Sequence, residues 1–80
     1  MSAIPETIDL EILKIIPQEF ALQKRVLPLK VADNKLYIAL STNDYQLVQQ
    51  IQLISGKTVN VVEVNEIDLD EAIKKNYNIS

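Results

Sequence analysis

The sequence predicts an α+β domain: a three-stranded sheet, a hairpin plus a third strand after a helical crossover, covered by helices in the order α-α-β-β-α-β-α. Three observations carry that expectation. Two alternating apolar runs, Val26–Ala32 and Leu36–Leu40, flank the turn-forming stretch Asp33-Asn34-Lys35. Leu47, Val48, Ile51 and Ile54 recur at helical spacing. The one glycine, Gly56, then separates that helix from a valine-rich run, Thr58–Val64.

Taken in order, Met1–Glu6 reads as an irregular lead in which Pro5 restricts Ile4 to extended geometry. Helix signals begin at Asp9, placed to cap a first turn that contains Glu11, while Ile8 and Leu13 have the spacing of a hydrophobic staple. Leu10, Leu13, Ile12 and Ile16 supply the apolar stripe. Pro17 interrupts the pattern, because the residue before a proline is pushed out of helical geometry. The expectation is therefore two short helices, about 9–15 and 17–24, with Phe20 and Ala21 facing the core and Lys24 and Arg25 in the last turn.

In the hairpin, alternation places Leu27, Leu29 and Val31 on one face of the first strand and Leu36, Ile38 and Leu40 on one face of the second. Pro28 has no amide to donate, so the first strand belongs at an edge near that position or begins its regular part there. Thr42, Asn43 and Asp44 compete to cap the third helix, about 44–55, whose polar face is Gln46, Gln49, Gln50 and Gln52. A right-handed crossover through that helix makes the third strand parallel to the second and allows it to sit beside the first. In that strand Val59 and Val61 point one way, Val62 and Val64 the other, which suits a strand buried in part on both faces or one carrying a bulge. The last helix starts from Asn65 or from Asp68, which has capping-box spacing to Glu71. Its stripe is Leu69, Ala72, Ile73 and Tyr77, with Lys74 and Lys75 in the last turn.

An 80-residue chain makes one domain, 1–80, with no room for a large internal cavity. Its composition, 48% apolar without a long charge-free run, is that of a globular chain that does not span or insert into a membrane. The absence of Cys and His excludes thiol nucleophiles, disulfides, zinc fingers, Ser-His-Asp triads and histidine metal sites. Lack of Cys fits a reducing cytoplasm, and the first thirty residues show no secretory signal. Eleven acidic against eight basic residues give a net charge of −3, and the basic residues are scattered, unlike those of a nucleic-acid binder. Composition thus points to a small non-catalytic interaction module, with no catalytic, cofactor-binding or metal-binding residues and no cofactor.

Four features test that exclusion. Gly56-Lys57-Thr58 matches the end of a phosphate-binding loop, but Ile51 stands where the earlier glycine is needed, and a helix stops here where a phosphate loop starts one. Glu66, Asp68, Asp70 and Glu71 cluster, yet no glycine turns the chain as a calcium loop requires, and first-turn helix acids account for them. Lys24 and Arg25 read as a solvated helix end rather than an anion site. Tyr37, Tyr45 and Tyr77 are too dispersed to stack bases and read as half-buried rims.

The order of signals carries more than any one of them. Ile16-Pro17 then Ala21, Val26-Leu27-Pro28-Leu29, Leu36-Tyr37-Ile38-Ala39, Gly56 before the valine-rich strand, and Ala72-Ile73 with Tyr77 form a series. In that series the chain resembles, over about residues 8–77, the N-terminal domain of type II secretion and type IV pilus assembly ATPases, also called the MshE N-terminal domain. The resemblance implies the second subdomain, or C-terminal half, of that domain. It implies a cytoplasmic module, peripheral to the inner membrane through protein partners, that docks the parent ATPase motor to the cytoplasmic domain of an inner-membrane platform protein. Two departures bear on this. Thr42-Asn43-Asp44-Tyr45 lacks the proline that often follows the second strand. The paired Arg-Leu-Gly motifs by which many members bind cyclic di-GMP are missing, so any such sensing, the alternative function, would use motifs outside these residues.

Overall fold

Seven elements follow one another in the computed structural model, which describes residues 4, 5 and 7–77: α1 (Leu10–Leu13), α2 (Gln18–Lys24), β1 (Leu27–Ala32), β2 (Lys35–Leu40), α3 (Tyr45–Ser55), β3 (Thr58–Glu63) and α4 (Glu66–Asn76). The predicted element order and the α+β class are observed. Of the irregular lead, Ile4 and Pro5 are described and lie in neither a helix nor a strand; the rest falls outside the described residues apart from this pair.

Local chemistry explains most boundaries. Asp33 and Asn34 both have positive φ, 52° and 61°, which suits a two-residue hairpin turn and two residue types that tolerate left-handed geometry. Lys35, expected in the turn, already pairs with Ala32 as the first residue of β2. The Asp44 carboxylate accepts the Leu47 amide at 3.2 Å and starts α3, and the Asn65 side chain accepts the Ile67 amide at 2.8 Å and starts α4. Asn65 thereby prevails over Asp68 as the cap. Asp9 differs from its expected role: its side chain makes no cap bond, and only its carbonyl accepts, from the Ile12 and Leu13 amides. Pro17 stands at the cap of α2 in extended geometry, just outside the helix. Gly56 ends α3 with φ of 69°, as expected.

The sheet order is β1-β2-β3. β1 and β2 are antiparallel, and β2 and β3 are parallel, with Leu36 opposite Val59 and Leu40 opposite Glu63. β3 thus lies beside β2, not beside β1, and the hairpin's second strand becomes the central one. Pro28 is consistent with this arrangement because β1 is an edge.

The alternation expected along β1 fails at one place. Pro28 pairs with Ile38 and Lys30 with Tyr37, so Leu29 is an extra residue, a β-bulge. Leu27 and Leu29 consequently pack with Ala39, Leu69 and Ile73, whereas Val31 packs against Leu36 and Ile38 on the opposite face. In β3, Val59 and Val61 join the second of these groups, and Val62 and Val64 the first, as their alternation predicts.

Both faces of the sheet are therefore covered. One half of the core joins Leu36, Ile38 and Leu40 to Leu47 and Ile51 of α3 and to Ala21 of α2; the other joins Leu27, Leu29 and Ala39 to Leu13 of α1 and to Leu69 and Ile73 of α4. Ile8 and Leu13, the predicted staple pair, are both buried in the second half. Tyr77, just past α4, packs against both halves. Among the described residues no polar or charged residue is buried.

Candidate functional site

Gly56 is a helix stop, the Lys57 amide donates to Ser55 Oγ at 3.2 Å, and Lys57 Nζ reaches Asn34 Oδ1 at 3.4 Å across the hairpin turn. The lysine is thus drawn to the hairpin, and no helix begins there to offer amides to an anion. Among the described residues no group of three or more acidic side chains is arranged to hold a metal ion.

Arg25 is not simply solvated. It ends α2 in left-handed geometry, φ 58°, and its guanidinium pairs with Asp70 of α4. Lys74, one turn further along α4, approaches the same carboxylate at 3.1 Å. The Lys74 hydrogen bond, with the charges of Lys74 and Arg25, holds the Asp70 carboxyl below the usual range, against a smaller opposing effect of burial. Sequence spacing shows the Asp70–Lys74 pair, since helix neighbours four apart meet. The Arg25 contact spans 45 positions and is visible only in three dimensions.

The tyrosines divide. Tyr37 is half-buried, with Lys30 Nζ 4.9 Å from its ring centre, and Tyr77 is half-buried as well. Tyr45, expected at a rim, is 72% exposed.

An apolar concave surface lies where α1 and α2 meet the end of α4. Leu10, Leu13, Ile16 and Pro17 form one wall, and Asn76 and Tyr77 the other, around about 460 Å³ of open groove. The local sequence builds it. Pro17 forbids a continuous helix, so the chain turns between α1 and α2 and leaves a step, and the Asn76 side chain folds back to donate to the Ala72 carbonyl at 2.8 Å. Leu10, expected on the buried stripe of α1, is instead 68% exposed at the groove edge, because a single helical turn buries only one direction and Leu13 takes it. Lys14 and Gln18 add the polar rim. The Tyr77 hydroxyl is buried without a hydrogen-bond partner, and burial pushes it up to about 12. The groove is apolar at its centre and polar at its rim, and Lys14 and Tyr77 are the titratable groups that line it. From sequence, only the Ile16-Pro17 break pointed to it.

A relationship to known proteins accompanies this geometry. The family model for the MshEN domain matches residues 2–80. The chain belongs to the MshEN domain family. This is the family of N-terminal domains of secretion and pilus ATPases that the sequence resembles. Among solved structures, the MshEN fold seen here is similar to that of MshE with cdg, with a TM-score of 0.76 and 19% identity over 88% of this chain and 52% of that one. It is also similar to the N-terminal domain of XpsE, with a TM-score of 0.79 and 17% identity over 92% of this chain and 52% of that one. The chain thus spans about half the length of the solved chains it matches. No curated protein matches it. Among the described residues no helix of this MshEN domain is long and apolar enough to cross a membrane.

Proposed function

We propose that this MshEN domain is a non-catalytic docking and regulatory module of a type II secretion or type IV pilus assembly ATPase. In this reading it joins the motor to the cytoplasmic domain of an inner-membrane platform protein, on the cytoplasmic side, and receives that partner in the groove beside Leu10 and Tyr77. The observation that carries the reading is the family match over residues 2–80. The groove adds a surface of suitable character, apolar at its centre with Leu10 exposed and polar at its rim. That the chain covers 52% of each matched structure supports its correspondence to about half of a larger N-terminal domain, and the order of its sequence signals makes that the C-terminal half in this reading.

The test is titration of the domain with the cytoplasmic region of the platform protein encoded beside its parent ATPase. Saturable binding that Leu10→Glu weakens at least tenfold, with unchanged thermal stability, is expected. No binding at high micromolar concentration defeats the docking reading, and binding indifferent to Leu10→Glu removes the groove from it.

The solved structure of MshE with cdg favours a second reading, participation in a cyclic di-GMP-sensing module. The 80 residues lack paired Arg-Leu-Gly motifs. Calorimetry of this chain with cyclic di-GMP is therefore expected to give no binding heat; a saturable isotherm would promote the second reading over the first.

A further inference from the structure

A solvated helix in a chain this rich in charge ordinarily carries charged residues on its outer face. α3 does not. From Tyr45 to Ser55 it has no charged side chain, although the whole chain has eight basic and eleven acidic residues. Its inner face buries Leu47 and Ile51, and Gln52 turns inward to accept the Val59 amide at 3.4 Å. The outer face presents Tyr45, Gln46, Gln49, Gln50, Leu53 and Ile54, with Leu53 86% exposed. Burying a leucine this exposed is a substantial gain.

The arrangement of those six residues is nearly symmetric about the helix midpoint. Tyr45 and Ile54 stand at the ends, Gln46 and Leu53 next, and Gln49 and Gln50 at the centre. We propose that this face is a self-association surface on which a second copy of the chain docks with its α3 antiparallel, the two-fold axis passing between Gln49 and Gln50. Such a contact is isologous. It sets Tyr45 of one copy beside Ile54 of the other, Leu53 beside Gln46, and the central glutamines against each other. A carboxamide both donates and accepts, so two identical glutamine faces satisfy one another as two identical charged faces cannot.

Charge narrows the choice of occupant, and the self-complementary glutamine centre points to a second copy. Each copy carries a net charge of −3, and α3 is a helical face where two copies meet without placing like charges together. An anionic membrane would require Lys or Arg on the face, and a charged partner would require counter-charge; α3 offers neither. The helix is about 16 Å long, so its face supplies well below the roughly 800 Å² per partner of a stable complex. The pairing is accordingly weak between free copies and strong where copies are held together at roughly millimolar effective concentration.

The experiment is a dilution series of the whole chain from about 1 mM downward, followed by sedimentation velocity and by backbone amide resonances. Reversible self-association is expected, with concentration-dependent shifts at residues 45–54. Leu53→Glu, at an exposed position that leaves folding intact, is expected to abolish it. Gln49→Glu and Gln49→Lys place like charges at the axis and are each expected to weaken self-association at least tenfold, while an equimolar mixture of the two restores it. A chain that stays monomeric at about 1 mM overturns the proposal, as do dilution shifts that map to another face or persist in Leu53→Glu. Self-association that persists in Leu10→Glu keeps this result separate from the docking reading, which that variant tests.

Discussion

Leu29 and Val31 lie two positions apart on β1 and pack into opposite halves of the core, Leu29 with Leu27 and Ala39, Val31 with Leu36 and Ile38. The bulge between Pro28 and Lys30 produces that reversal, and it lets one edge strand serve both covered faces of the sheet.

The two residues should therefore fail separately. Leu29→Ala removes a buried side chain and is expected to cost about 3 kcal/mol, and Val31→Ala, half-buried, about 1 kcal/mol. Because the two side chains share no cluster, the double variant should lose the sum to within about 0.5 kcal/mol in urea unfolding. A larger coupling would mean that they touch the same neighbours.

Caps should sort by hydrogen bond rather than by residue type. Asp44→Ala and Asn65→Ala each remove a side-chain bond to a helix amide and are expected to destabilise by about 1 kcal/mol. Asp9→Ala removes no such bond, and its midpoint of thermal unfolding should stay close to that of the unmodified chain.

Gly56 separates backbone strain from crowding. A β-carbon there would meet no atom within 4 Å, so Gly56→Ala should cost only the left-handed penalty, about 1–2 kcal/mol. Gly56→Asn should recover part of that loss, since asparagine visits the same geometry more readily. Equal losses for both variants would contradict a purely conformational role.

Tyr77 gives the chain an alkaline limit. Its hydroxyl is raised to about 12, so the folded state favours the protonated form. The contribution is fully present below pH about 10, where the unfolded tyrosine is also protonated, and is lost as pH rises toward about 12. Tyr77→Phe removes the unpartnered buried hydroxyl and is expected to raise stability by about 1 kcal/mol at neutral pH. The same variant should flatten the decline between pH 10 and 12, measured as the change in urea midpoint. An unchanged decline would assign it elsewhere.

Periodicity and turn chemistry made the seven elements legible, since Pro17, Asp33-Asn34 and Gly56 each act on the backbone locally. The bulge at Leu29 was not legible: it depends on how β1 meets β2, and an extra residue leaves no mark in an alternating run that is apolar on both faces. The position of β3 was hidden for a related reason, because a crossover fixes direction without fixing which neighbour is chosen. The candidate site was less visible still. Leu10 reads as a core residue until the one-turn length of α1 is known, and the Arg25–Asp70 pair joins positions 45 apart.

The strand order β1-β2-β3 repeats the order of the chain, so each strand pairs only with its sequence neighbour, and the longest link is the single helix α3. Closing such a sheet requires one tight turn and one helical crossover, so its pairings stay between sequence neighbours, which favours rapid folding. The core half under α3 draws its members from residues 15–61 apart from Tyr77, whereas the half under α1 and α4 needs both outer parts of the chain at once. Residues 15–61 should then hold their amide protons longest in hydrogen exchange, with α1 and α4 exchanging by local opening. The groove at Leu10 and Tyr77 runs along the border of that half, where a bound partner would act as a clasp on the least secured part of the molecule.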